Sequence, residues 1–356
     1  MEVNIFVSEL LAARPGPVPL RPVRPTLSDV AARAGVSGQT VSRVVNGSAE
    51  VAAPTAARVR EAITELGYRP NGAARALQAR RSNTIGIVTA DSTLYGPTEL
   101  LYSVESAVRT SGYFVSIVSV PETTTPLIRA AVDRLRSHGV EGLLVLCAPA
   151  GPDADLHLDG CDVPTVLVGE QPATATVTGF DEVSGARMMV THLLSLRHRS
   201  VAHVAGPSDH PSSARRLSGW RAALTECGAP IGEQRVGDWS AASGYRAGCD
   251  LGRDPGLSAV FCANDQMALG VLRALAEAGR DVPGQVSVAG FDDAPDSAFY
   301  QPPLSTVGQD FRRLGARAVQ LLQARLSGAT DSHPTLLATR LVLRRSTAQA
   351  PTGGQR

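Results

Sequence analysis

Two groups of residues have types and spacings that point to chemistry. In the first, Gln39, Thr40, Ser42 and Arg43 crowd one short segment whose apolar residues, Val41, Val44 and Val45, take the inner face of a helix. An arginine presents two parallel donors that match guanine, and a glutamine amide pairs in the same way with adenine. Each such pair is worth about 1–3 kcal/mol of discrimination between bases. In the second group, acids and amides follow apolar runs: Asp91, Glu170, Asn264-Asp265 and Asp292-Asp293. Converging at the carboxyl ends of parallel strands beside an aromatic such as Trp239, they suit an uncharged polyhydroxyl ligand. Side chains would meet its hydroxyls and the ring would cover an apolar face. Both groups also have a plainer reading. A polar helix face is equally the solvated side of a small structural three-helix unit, and strand-end Asp and Asn are commonly loop caps.

Enzymatic chemistry finds little support. The chain has no G-x-S-x-G, no Gly-rich phosphate loop ending in Lys-Ser/Thr and no H-E-x-x-H. His198 and His203, the nearest pair among seven histidines, flank a strand start without a third ligand, and read as structural or exposed rather than metal-binding. Asp292 and Asp293, adjacent at a strand end, point apart and make a poor acid/base pair. Five cysteines without a C-x-x-C pair read as thiols in a reducing compartment. Binding is favoured over turnover, with no catalytic residue, metal or cofactor expected.

The elements that must position the first group are helical. Thr26 followed by Asp29 is a helix-start signal, Val30, Ala31 and Ala34 share a face, and Gly35 stops the helix. Ser37 can cap a second helix that Asn46-Gly47 ends. Two short helices joined by a tight glycine turn form a helix-turn-helix, whose second helix enters the major groove. A third helix has Pro54 in its first turn, Val59, Ile63 and Leu66 facing inward, and Gly67 past its end. The charge distribution agrees with a polyanionic partner. A formal charge of +1 hides a split: residues 21–81 hold ten arginines against four acids, while residues 82–356 carry a net −4. Residues 71–81 form an Ala-rich basic segment, too short for a helix stable in water and suited to folding in a minor groove.

The second group sits in a different architecture. Strand-like runs at residues 85–88, 114–118, 142–147, 165–168, 201–205, 259–262 and 286–289 alternate with helical stretches. Short buried strands between helices argue for parallel sheets covered on both faces, and the length calls for two α/β lobes. No apolar run approaches the roughly 18 residues of a membrane span. The N-terminus lacks the pattern of an export signal, which places the chain in the cytoplasm.

At this point the residues resemble a known family. Thr26-Leu27-Ser28-Asp29-Val30-Ala31 with Gly35-Val36-Ser37, then Thr40-Val41-Ser42-Arg43-Val44-Val45-Asn46, then Gly67-Tyr68-Arg69-Pro70-Asn71, closely resemble the headpiece of the lactose/galactose repressor (LacI) family. Gly237-Asp238-Trp239-Ser240-Ala241, Ala263-Asn264-Asp265-Gln266-Met267-Ala268-Leu269-Gly270 and Gln309-Asp310-Phe311-Arg312 resemble effector-domain segments of its lactose-type members, and the resemblance runs to about residue 347. It implies a small all-α helix-turn-helix DNA-binding domain followed by an α/β two-lobed domain like the periplasmic binding proteins.

The organisation it implies is a disordered extension over residues 1–24 and a DNA-binding domain over 25–70. A hinge helix at 71–82, a two-lobed sugar-binding and dimerisation domain at 83–347 and a disordered tail at 348–356 follow. Operator contacts fall to Thr26, Leu27, Ser37, Gly38, Gln39, Thr40, Ser42, Arg43, Asn46, Asn71 and Leu77, the last as a wedge between base pairs. Phe180, Ser212, Arg216, Trp239, Asn264, Asp292, Gln309 and Phe311 would line a sugar site. Gly38 departs from the pattern, since lactose-type members carry an aromatic there. Ala90 and Gly169 also depart, standing where those members place polar sugar contacts, with Glu170 one residue along. The implied function is transcriptional repression relieved by a small sugar effector, with double-stranded operator DNA as partner. Residues 346–356 carry no leucine repeat, so a homodimer is expected. An exported solute-binding protein would share the two lobes, but would have no use for residues 26–81.

Overall fold

The computed structural model describes residues 25–48, 50–69, 81–147, 156, 162–169, 176–329 and 335–351. The chain divides into two compact units at Arg81 and Ser82.

The first unit is helical. Helix α1 (Leu27–Ala34) begins with a capping box, in which Asp29 accepts from the Thr26 amide at 2.7 Å and from its hydroxyl at 2.8 Å. It ends at Gly35, whose φ of 64° is the left-handed conformation glycine adopts without a Cβ clash. Helix α2 (Gly38–Val45) is capped by Ser37, which accepts from the Thr40 amide. Helix α3 (Ala53–Leu66) has proline in its first turn and Gly67 at its end. Val30, Val41 and Val59 are fully buried where the three meet, with Ala31, Ala34, Ala62 and Tyr68 around them. The helices are those expected from the sequence; of the core, Ala62 and Tyr68 were not anticipated, and Val44, Val45, Ile63 and Leu66 pack against it partly buried.

The second unit contains two parallel sheets. In the first lobe the order is β11-β5-β4-β3-β1-β2, with β1 (Thr84–Ala90), β2 (Phe114–Val120), β3 (Gly142–Val145), β4 (Thr165–Val168), β5 (Thr176–Phe180) and β11 (Thr335–Leu337). Helices α4 (Tyr95–Thr110), α5 (Thr125–Ser137) and α10 (Phe311–Leu326) pack against it. In the second lobe the order is β7-β6-β8-β9, from β6 (Ala202–Ala205), β7 (Gln234–Val236), β8 (Ala259–Cys262) and β9 (Ser287–Ala289). Helices α6 (Glu182–Ser195), α7 (Pro211–Glu226), α8 (Ala241–Leu251) and α9 (Asp265–Glu277) accompany it. Every residue of β3, β6, β8 and β9 is buried, as strands covered on both faces must be. An antiparallel pair, β10 (Thr306–Gly308) with β12 (Arg340–Val342), lies where the chain passes between lobes. Those passages occur at residues 180–182, 308–311 and 337–340.

Both lobes reverse strand order beside their first strand, at β1/β3 and at β6/β8. In open α/β sheets the carboxyl ends at that switch point form a crevice for ligands. The strands expected from the sequence are all present, with ends moved by a residue or two. Not anticipated were β5, which carries an internal glycine, the short β7, and β10 to β12, whose three-residue lengths leave too little periodicity to read.

Two boundaries need correction. The disordered tail expected from residue 348 does not begin there. The Ala348 carbonyl accepts from Ser287 and bonds the His198 ring, its amide donates to Ser287, and the Ala350 amide donates to the Leu196 carbonyl. These bonds tie residues 348–350 to the second lobe. Ser82, expected to close the hinge, groups with the second unit, and its hydroxyl accepts from the Thr84 amide. Both histidines read as structural or exposed are buried. His198 bonds Ser258 and Ser287, and His203 is stacked between Trp220 and Phe261.

Candidate ligand cleft and nucleic-acid interface

On the first unit, Gln39 and Arg43 are exposed on α2 and Asn46 is exposed just past its end, while Thr40 and Ser42 are half-buried beside them. Arg43 stands 3.8 Å from Glu50, both side chains at least half exposed, so the guanidinium can exchange that contact for a base edge or a phosphate. Leu27 is half-buried against the small core, and its Cδ2 would stand 3.1 Å from a Cβ placed on Gly38. Glycine at that position therefore lets Leu27 close over the start of α2. Thr26 and Ser37 spend their hydroxyls on caps, which sets the α1–α2 geometry. Asn71 and Leu77 lie outside the described residues.

The second unit holds a cavity of roughly 200 Å3 between the carboxyl ends of its two sheets. All eight residues expected at a sugar site line it: Phe180, Ser212, Arg216, Trp239, Asn264, Asp292, Gln309 and Phe311. The two departures in this unit and the strand-end acids sort differently. Ala90 and Gly169 also line the cavity, whereas Asp91 is exposed and away from it. Asp265 lies behind the wall, accepting from the Thr306 hydroxyl at 2.6 Å and the Ala294 amide at 2.8 Å. Asp293 turns aside to pair with Arg340 and Arg344. Adjacent strand-end carboxylates thus do point apart, with Asp292 at φ 113° and Asp293 at φ 57° turning the chain between them. Glu170 lies outside the described residues.

The centre of the polar wall is Arg216. Its Nε and Nη2 donate to Glu182 at 3.0 and 2.7 Å, and its Nη1 donates to Asp292 at 3.1 Å and to the Ala263 carbonyl at 2.5 Å. Its guanidinium carbon stands 3.9 Å from the Phe291 ring centroid. Arg215 donates to the other oxygen of Glu182 at 2.8 Å. Burial pushes the Asp292 carboxyl up to about 6, against the pull of Arg216. Glu182 is held below the ordinary range because Arg216 and Arg215 together outweigh its burial. Asn264 caps α9 through its oxygen and donates to the Trp239 carbonyl, so it is both a loop cap and a lining residue. Trp239 packs over Gly206 and meets His210 edge-on. Gln309 Oε1 is buried without a hydrogen-bond partner. A buried amide oxygen left unpaired costs about 1–3 kcal/mol, which a ligand hydroxyl would recover.

Glu182, Arg215 and Tyr95 were not anticipated. The signal for Glu182 was its place just after Phe180, but the run 176–180 was not read as a strand, so its end was not inspected.

The comparisons with known proteins agree with this geometry. A model of bacterial regulatory proteins of the lacI family matches residues 26–71, and a periplasmic binding protein-like domain matches residues 190–347. The lactose operon repressor of Escherichia coli K12 is 37% identical over 333 residues, covering 92% of this chain and 91% of the relative. The chain belongs to the LacI family. It is a DNA-binding transcriptional regulator built on a helix-turn-helix unit and a two-lobed α/β domain. Within the LacI family it is also 34% identical over 342 residues to the regulator CelR of Thermobifida fusca, covering 91% of this chain and 98% of that one. Among solved structures, a lac repressor dimer bound to operator and the anti-inducer ONPF superposes with TM-score 0.86 at 36% identity, over 92% of this chain and all of that one. A CelR–cellobiose complex superposes at 0.65 and 32% identity, over 91% and 100%. No described helix of this LacI-family chain is long and apolar enough to cross a membrane.

Proposed function

We propose that the protein is a homodimeric repressor that α2 docks into the major groove of an operator and that a neutral sugar, or sugar derivative, releases. The observation that carries the effector reading is the convergence of Asp292, Asn264, Arg216 and the unpartnered Gln309 oxygen on one cavity at two sheet switch points. The charges there pair among themselves, Glu182 and Asp292 with Arg215 and Arg216, which favours a ligand without net charge. Trp239 offers the ring face on which a sugar's apolar side rests. Solved relatives include a dimer on its operator and a complex with cellobiose, in keeping with both partners.

Operator reading falls to Gln39, Thr40, Ser42 and Arg43, with Thr26, Leu27, Ser37, Gly38 and Asn46 setting the docking and Asn71 and Leu77 continuing it along the hinge. The sugar shifts the equilibrium between two lobe arrangements that differ in operator affinity, a coupling of typically 1–3 kcal/mol. The protein binds rather than converts its ligand, and acts in the cytoplasm where its operator lies. An electrophoretic shift assay on selected operator DNA across a panel of neutral sugars tests this. One or more sugars should reduce retardation, and unchanged operator binding across the whole panel defeats the switch.

A further inference from the structure

The carboxylate of Asp293 is divided between two parts of the fold. Its Oδ1 accepts from Arg344 Nη2 at 2.6 Å, and Arg344 is itself anchored in the second lobe by the Ser297 hydroxyl and the Leu304 carbonyl, at 3.3 and 2.9 Å. Its Oδ2 accepts from Arg340 Nη2 at 3.0 Å. Arg340 opens β12, at the end of the passage from the first lobe, and stands opposite Gly308 in the antiparallel pair. The Cγ and Cζ of Arg340 lie 3.4 Å from where a Cβ on Gly308 would stand, so the side chain crosses over a second passage, one residue before the cavity residue Gln309. Beside it the Thr339 hydroxyl donates to the Asp181 carbonyl, in the remaining passage, at 3.4 Å. One guanidinium thus joins the end of β9 to the bundle of chain passages between lobes. Arg340 is not among the described residues that line the cavity. Asp293, however, directly follows Asp292, which faces the cavity and meets Arg216. The two acids have φ of 113° and 57°, a conformation that residues with a Cβ keep only where the surroundings fix it. The Asp292 amide, donating to the Val307 carbonyl at 2.8 Å, and the Asp293 carboxylate on its two arginines do the fixing.

We propose that Arg340 is a coupling latch: a positioning residue that transmits occupancy at Asp292 to the crossovers between the lobes. This rests on the sugar-effector reading above and names the contact that carries its switch. A ligand that displaces Asp292 also turns Asp293, because the two share one fixed turn. Arg344 keeps that motion within the second lobe, whereas Arg340 passes it to β12 and Gly308. The Arg340 side chain is 70% exposed, so its bond to Asp293 adds little to stability and is free to break and re-form as the lobes move. With the latch gone, the strand end answers the sugar without moving β12, and less of the sugar's binding energy reaches the operator.

The coupling factor tests it: the ratio of operator affinity without and with saturating sugar, measured by fluorescence anisotropy on the full-length protein at fixed salt. The probes are the panel of neutral sugars above, with cellobiose and the methyl glycosides of glucose, galactose and mannose among them. For a sugar that releases the parent, Arg340→Ala should lower the factor at least about threefold, within what an exposed ion pair supplies, and leave the thermal midpoint nearly unchanged. Arg340→Lys should recover most of the factor. In an Asp293→Asn background, Arg340→Ala should have no further effect. A coupling factor unchanged in Arg340→Ala overturns this inference and leaves the sugar reading standing, whatever happens to the thermal midpoint. An equal effect of Arg340→Ala with and without Asp293 also overturns it, by assigning the effect to packing over Gly308. Failure of every sugar to change operator binding overturns the sugar reading itself, and this inference with it.

Discussion

Glu182 Oε1 receives both Nε and Nη2 of Arg216, at 3.0 and 2.7 Å, with both side chains less than a tenth exposed. The pair joins the first residue of α6, just past a passage between lobes, to α7, and Arg216 extends the link to the ends of β8 and β9. Arg216 therefore has most of its donors committed to protein groups, and acts on a ligand chiefly by fixing Asp292 and the wall around it.

Removing Glu182 should be costly. Glu182→Ala leaves a buried guanidinium with one carboxylate fewer, which costs about 3–5 kcal/mol. Urea denaturation should show that loss in the second unit, and effector affinity should fall with it. Glu182→Gln keeps the shape and part of the hydrogen bonding, and should lose less stability than the alanine variant.

Arg216→Ala leaves Asp292 without its cation and Glu182 with Arg215 alone. The expected phenotype is a reporter that stays repressed and no longer answers to sugar, provided the protein remains folded by circular dichroism. A reporter permanently on, in protein shown to be folded, would assign Arg216 to the operator-bound arrangement rather than to the effector response.

Arg43→Ala should weaken operator binding by about 1–3 kcal/mol, with sugar affinity unchanged when measured by calorimetry. Loss of specificity at a single base position, read from selected sequences, would mark a base contact. A uniform loss with a shallower salt dependence would mark a phosphate contact.

Two buried groups give pH dependences of opposite sign. His203 has its pKa pulled down by burial, to about 4, from an unfolded value near 6.5, so it stays neutral in the fold. The unfolded chain takes up the proton first, and stability is lost as pH falls from about 6.5 to 4, by roughly 3 kcal/mol in full. His203→Phe should flatten that limb in urea titrations run from pH 4 to 7. Asp292 has its pKa raised, so the folded state holds the proton longer and its contribution to stability is lost as pH rises through about 6. If sugar hydroxyls donate to its carboxylate, effector affinity should decline as pH falls below about 6, and Asp292→Asn should remove that decline.

Gly244 and Gly270 let α8 and α9 touch. A Cβ on Gly270 would stand 2.0 Å from the Ala241 carbonyl oxygen, and one on Gly244 would stand 2.1 Å from that of Met267. Gly270→Ala should thus destabilise the second lobe by 1–3 kcal/mol or about that order, despite alanine's better helix propensity. A thermal midpoint equal to that of the parent would refute the close approach.

The sequence by itself determined the elements and their class. Thr26 with Asp29, Ser37, Gly35 and Gly67 set the starts and stops of three helices through hydrogen bonds and backbone conformations local to each end, so no distant contact was needed to read them. Runs such as Ala259–Cys262 declared buried strands because a strand covered on both faces has no polar side to show. Tertiary structure decided which strand-end acids face the cavity. Asp91, Asp265, Asp292 and Asp293 look alike in one dimension, and only the strand order and the turn at Asp292 and Asp293 send one to Arg216 and the others elsewhere. The ring of Phe311 likewise meets those of Tyr95 and Phe180 only when the fold of the first lobe brings residues more than a hundred positions apart to one wall. Such convergence is set by packing between elements, to which local propensity is blind.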